Sequence, residues 1–230
     1  MTAEAKSCRK KWKIAVSILL AVLVLLTGGF FWYVSDYYRA EDVALEVLAS
    51  GDHLEVRDHL TILSPFYPTD TAIIFYPGAK VEAAAYLPLL DQLRQTGLTC
   101  ILVEMPFHLA IFDVNAAEDV MAQFPDIRHW YIAGHSMGGA MASQFASEHP
   151  DEVDGLILLG AYLYGDYPPA DTLTVYGSLN QSVEDKIDWI RIPEAYHLIT
   201  TDKQYDCVMP FGVKAFTDKM EQYVPGSRPS

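Results

Sequence analysis

Tyr131-Ile132-Ala133-Gly134-His135-Ser136-Met137-Gly138-Gly139-Ala140 decides how this chain folds. Residues 129–133 form a short apolar run of strand type, and residues 137–147 have helical spacing. Between them Gly134, Ser136 and Gly138 fill the G-x-S-x-G pattern of a nucleophile elbow, a sharp strand-to-helix turn with serine at its apex. The spacing has a physical reason. The serine backbone is strained and its side chain must stand clear of the turn, while a side chain at either glycine would meet the neighbouring strand or helix. A helix starting at the serine turns its free N–H groups and its dipole toward any negative charge forming there.

Strand and helix patterns alternate around this stretch. Residues 53–58 and 60–63 read as an opening pair of strands. Residues 71–76 read as a buried strand ending at Pro77-Gly78. A helix over 83–96 is closed by Gly97 as its C-terminal cap. A strand over 99–104, stopped by Pro106, and a helix over 114–124 lead into the elbow. Strands over 153–159, 173–176 and 196–200 and a helix over 213–223 complete the pattern. It predicts an α/β fold, a mostly parallel sheet with helices on both faces. Ligands of such sheets bind beyond the carboxyl ends of the strands, the edge where the elbow lies. The connections are short and leave little room for a lid.

Before the domain comes a membrane-type segment. Residues 14–34 are uncharged and long enough to cross a bilayer as a helix. Lys6, Arg9, Lys10, Lys11 and Lys13 precede them, and Phe30, Phe31, Trp32 and Tyr33 close them like an interfacial belt. A cleaved signal peptide is the rival reading, but the run exceeds a usual h-region and no A-x-A site follows. The expected organisation is a basic cytoplasmic tail (1–13), a transmembrane anchor (14–34), a linker (35–50) and a catalytic-type domain (51–230). The positive-inside rule puts the N-terminus in the cytoplasm and the domain outside a cell membrane. Beyond residue 13 the chain carries 11 Lys+Arg against 29 Asp+Glu, a net charge of −18. That excludes nucleic acid as an expected partner, since phosphate binding needs basic surface. Cys8, Cys100 and Cys207 are the cysteines; Cys100 reads as a buried thiol, with a Cys100–Cys207 bridge as the alternative. No spacing suggests a metal site, and no dinucleotide fingerprint implies a cofactor.

Together these residues resemble the α/β-hydrolase superfamily. More narrowly, they are similar to a small dienelactone-hydrolase-like family that sits behind an N-terminal membrane anchor. The matching stretches are Ile74-Phe75-Tyr76-Pro77-Gly78-Ala79-Lys80-Val81 with Tyr86, Val103-Glu104-Met105-Pro106-Phe107, the elbow, and Leu156-Ile157-Leu158-Leu159. The resemblance implies Ser136 as nucleophile, with the backbone N–H groups of Met137 and Ala79 as oxyanion donors. Gly78 permits close backbone approach, while His135 and His108 are the histidines placed to line a substrate pocket. It implies a small acyl substrate.

The second half of the catalytic set departs from the family. Asn180 stands where the family has Asp, with Glu184 and Asp185 as acids one turn on. With 196–200 as the last strand, Gln204 takes the histidine position; alignment on Phe211-Gly212 puts Val208 there. After the elbow only His149 and His197 remain. His149 ends the elbow helix, and His197 reaches the site only in another register. The expected catalytic set is Ser136, His197 and Asp185, in a hydrolase of small carboxylic esters. The alternative is an impaired pseudoenzyme that binds or scaffolds.

Overall fold

Runs of β-branched and aliphatic residues too short for helices build a single sheet. In the computed structural model, which describes residues 3–51, 53–177 and 188–192, the strands are β1 (Leu54–Arg57), β2 (Leu60–Leu63), β3 (Thr71–Tyr76), β4 (Thr99–Val103), β5 (His129–His135), β6 (Gly155–Leu159), β7 (Thr172–Gly177) and β8 (Asp188–Ile192). Their spatial order is β1-β2-β4-β3-β5-β6-β7-β8. β1 and β2 form an antiparallel hairpin, β2 runs antiparallel to β4, and every later pairing is parallel.

Period-two alternation divides the core into two layers. Ile73, Phe75, Leu102 and Ala133 face α3 (Leu87–Gln95), meeting Leu87, Leu90 and Leu93. Ile74, Tyr76, Ile101 and Ile132 face α4 (Ala116–Gln123) and α5 (Met137–Glu148), meeting Val120, Ala142 and Phe145. After β3 the chain builds β4 on one side, then crosses back to lay β5 on the other. The topological switch therefore falls between β3 and β5, where Tyr76 pairs with Gly134 at the carboxyl edge.

The elements depart from the sequence reading at identifiable points. The helix expected over 83–96 opens as a 3-10 turn, Ala83–Tyr86, before α3 starts with Pro88 in its first turn. Gly97 closes it at φ 101°, as a cap needs. α4 begins at Ala116 rather than 114 because the buried Tyr76 hydroxyl ties its entry. That hydroxyl accepts from the Ala117 N–H at 2.8 Å and donates to the Val114 carbonyl at 2.9 Å. β8 is a strand the sequence reading did not predict. The strand expected over 196–200 and the helix expected over 213–223 lie outside the described residues. Cys100 is a free, fully buried thiol, and burial pushes its pKa up.

Residues 1–36 form a unit of their own, with α1 spanning Ala3–Ser35. Lys11–Ser35 has a mean hydropathy of 2.6 and is long and apolar enough to cross a membrane; a signal sequence meets the same test.

Candidate active site

The elbow forms as its residues require. Ser136 closes β5 and caps α5 with φ 51° and ψ −119°, in the positive-φ region that non-glycine residues avoid. Its N–H is held by the Leu159 carbonyl at 3.0 Å. A Cβ at Gly134 would strike the backbone of Gly138 and Gly139, and one at Gly138 would strike the carbonyls of Tyr76 and Pro77. The two glycines thus let the first turn of α5 close on β5 and on the end of β3.

Among the described residues, five non-glycine residues have positive φ, and four of them stand in the elbow or in the loops after β3 and β4: Ser136, Lys80, Phe107 and His108. The fifth, Asp58, turns the β1–β2 hairpin. Strain that the surrounding structure must hold gathers at functional sites. The loops after β3 and β4 are tied together, with the Lys80 N–H donating to the His108 carbonyl at 2.8 Å.

Within the loop after β3, Ala79 lies between two amides already engaged. The Gly78 N–H donates to the Tyr86 hydroxyl at 3.0 Å, and the Lys80 N–H is bound as above. Among the described residues, neither the Ala79 N–H nor the Met137 N–H finds an acceptor. Ser136, Met137 and Ala79 are all half-buried, whereas Gly78, His135 and Gly138 are buried. The exposed edge therefore presents one hydroxyl and two backbone donors.

The expected pocket residues Gly78 and His135 are both buried. His135 is 2% exposed and its Nδ1 lies 2.8 Å from the Tyr86 hydroxyl, so it is sealed in the core rather than presented to a substrate. Gly78 is where backbone and these two side chains converge; a Cβ there would meet both. His108 is half-buried with its ring 4.1 Å from that of Tyr37. Burial, opposed by Glu104 and Glu82, holds its pKa below the ordinary histidine value. His149 donates its ring to other work: it stacks on Phe145 at 4.3 Å and meets Glu152 at 3.0 Å. Asn180, Glu184, Asp185, His197, Gln204 and Val208 lie outside the described residues. Among the described residues no group of three or more His, Cys, Asp or Glu side chains could hold a metal ion. Tyr86 is the site residue whose role the sequence reading missed; it appeared there only as part of a matching stretch.

Comparison with known proteins agrees with this fold. Residues 72–212 match the model of the alpha/beta hydrolase family. A pyrethroid hydrolase of Sphingobium wenxiniae is 31% identical over 134 residues, covering 54% of this chain and 47% of that protein. The chain thus spans less than half the length of the sequence relatives it matches. Among solved structures, dienelactone hydrolase from Anabaena variabilis superposes with a TM-score of 0.53 at 18% identity, covering 71% of this chain and 89% of that one. Est1E from Butyrivibrio proteoclasticus gives 0.56 at 15% identity, covering 74% and 97%. At those identities the likeness concerns the fold.

Proposed function

The chain belongs to the alpha/beta hydrolase family, and from that premise we propose that it is a membrane-anchored serine hydrolase of small carboxylic esters or related acyl substrates. The observation that carries the reading is the strained Ser136 at the carboxyl edge of β5, beside two unengaged backbone donors. Ser136 Oγ attacks the acyl carbonyl while a base takes its proton. The Met137 and Ala79 N–H groups receive the negative charge forming on the carbonyl oxygen. Each such donor is worth about 10²–10³-fold in rate. The alcohol leaves, and water then releases the acid from the serine ester.

His197 is the proposed base, and the position of β8 supports it. Ile192 ends β8 on the same edge as Gly177, and His197 follows five residues later. Three strand spacings separate β5 from β8, about 14 Å. Five extended residues reach about 17 Å, so the chain is long enough.

The same arithmetic bears on the acid. Asp185 precedes Asp188 by three residues, a reach of about 10 Å. β8 itself is about 13 Å long and starts at the far edge. Asn180 follows Gly177 by three residues, from the near edge. We therefore favour Asn180 over Asp185 as the group that orients His197. An amide there favours the pseudoenzyme as second reading, because it leaves a forming imidazolium without a neutralising charge.

Labelling of the full chain in detergent with a fluorophosphonate tests the reading. Labelling that disappears in both Ser136→Ala and His197→Ala supports it. A folded wild-type chain that does not label sinks it in favour of the pseudoenzyme.

A further inference from the structure

The mechanism above uses neither Tyr86 nor His135, yet both are buried polar residues joined to the site's backbone. The Tyr86 ring is 2% exposed and packs 4.8 Å from Phe75. Its hydroxyl accepts from the Gly78 N–H at 3.0 Å and meets His135 Nδ1 at 2.8 Å. Burial raises its pKa, so it remains a phenol. A phenol that accepts one hydrogen bond has one proton to give. Given to His135 Nδ1, 2.8 Å away, that proton makes His135 a neutral imidazole with its own proton on Nε2.

The ends of this chain of bonds are informative. His135 immediately precedes Ser136, and Gly78 immediately precedes Ala79. The nucleophile and one oxyanion donor lie on different loops, and rate depends on their mutual placement within a fraction of an ångström. We infer that Tyr86 and His135 are positioning residues, a buried relay that fixes the Gly78-Ala79 backbone against the elbow and so sets the oxyanion site. Glycine at 78 belongs to the relay, since a Cβ there would occupy the space where ring nitrogen and hydroxyl meet. The inference rests on the reading of Ser136 as nucleophile and deepens it.

The experiment uses the full chain in detergent, a fluorophosphonate, and a short-chain p-nitrophenyl ester. Tyr86→Phe keeps the ring and removes the relay. It should lower kcat and the labelling rate about 10–100-fold, less than the roughly 10²–10³-fold lost when an oxyanion donor is removed outright, while KM stays near its wild-type value. Hydrogen exchange at the Gly78 and Ala79 amides should quicken. His135→Asn, whose amide oxygen substitutes for Nδ1, should recover activity that His135→Ala loses. Tyr76→Phe is the control. It also removes a buried hydroxyl with two partners, and should lower the melting temperature without the kcat loss. Wild-type kcat and wild-type exchange in Tyr86→Phe would overturn the relay, as would equal activity in His135→Asn and His135→Ala. If the wild-type chain does not label, the nucleophile reading fails, and amide exchange still decides the relay.

Discussion

At the scale of single residues, the site depends on what two glycines leave out. At Gly138 a Cβ would meet the backbone carbonyls of Tyr76 and Pro77, which cannot turn aside as a side chain would. Gly138→Ala should cost about 1–3 kcal/mol, the usual range for overpacking, and should lower fluorophosphonate labelling by more than that loss explains. A melting curve and a labelling time course on one preparation check both parts. His108 offers a pH prediction. Burial lowers its folded pKa below 6.5, so in acid the unfolded chain binds a proton that the folded chain resists. Its contribution to stability is therefore lost as pH falls below 6.5. Asn tolerates the φ of 57° and does not titrate there. His108→Asn should have a melting temperature that falls less steeply than wild type between about pH 7 and pH 5, and an equal slope would refute the assignment.

At the scale of elements, β3, β4, β5 and β6 were readable because their apolar runs are continuous, as strands buried on both faces require. The elbow was readable because its glycines answer a steric need visible in the motif itself. β8 was not, since Asp188-Trp189-Ile190-Arg191-Ile192 mixes charge with apolar residues and, among the described residues, stands last in the sheet. The sequence reading placed the last strand over 196–200, outside the described residues, and so did not use the five-residue spacing between Ile192 and His197. The relay was equally hidden: Tyr86 and His135 are 49 residues apart, and only the pairing of β3 with β5 joins them. The placement of β7 and β8 leads to a gain-of-function prediction. If Asn180 orients His197, Asn180→Asp supplies the missing charge and should raise kcat/KM at least about tenfold, whereas Asp185→Asn should change it little. Ester hydrolysis by the two variants side by side decides between them, and loss of activity in Asp185→Asn would return the role to Asp185.

At the scale of the whole molecule, the residues after the apolar helix belong to the same unit as the hydrolase fold. Tyr38 forms a parallel bridge with Val81. Its N–H donates to the Lys80 carbonyl at 2.7 Å, and its carbonyl accepts from the Glu82 N–H at 2.8 Å. The Ala40 N–H adds a bond to the Glu82 carboxylate at 2.9 Å, and Tyr37 packs on His108. Residues 37–40 thus strap the loop that carries Ala79. A linker would be dispensable; a strap is not, because its removal frees the Lys80 carbonyl and the Glu82 N–H together. Two truncations separate anchoring from catalysis. A chain starting at residue 36 should leave the membrane fraction yet label with fluorophosphonate at close to the full-length rate. A chain starting at residue 41 should be equally soluble but label at least about tenfold more slowly, the effect of a displaced oxyanion donor. Carbonate extraction of the full-length protein, which should stay with the membranes, completes the set. Equal labelling of the two truncated chains would reduce residues 37–40 to a tether.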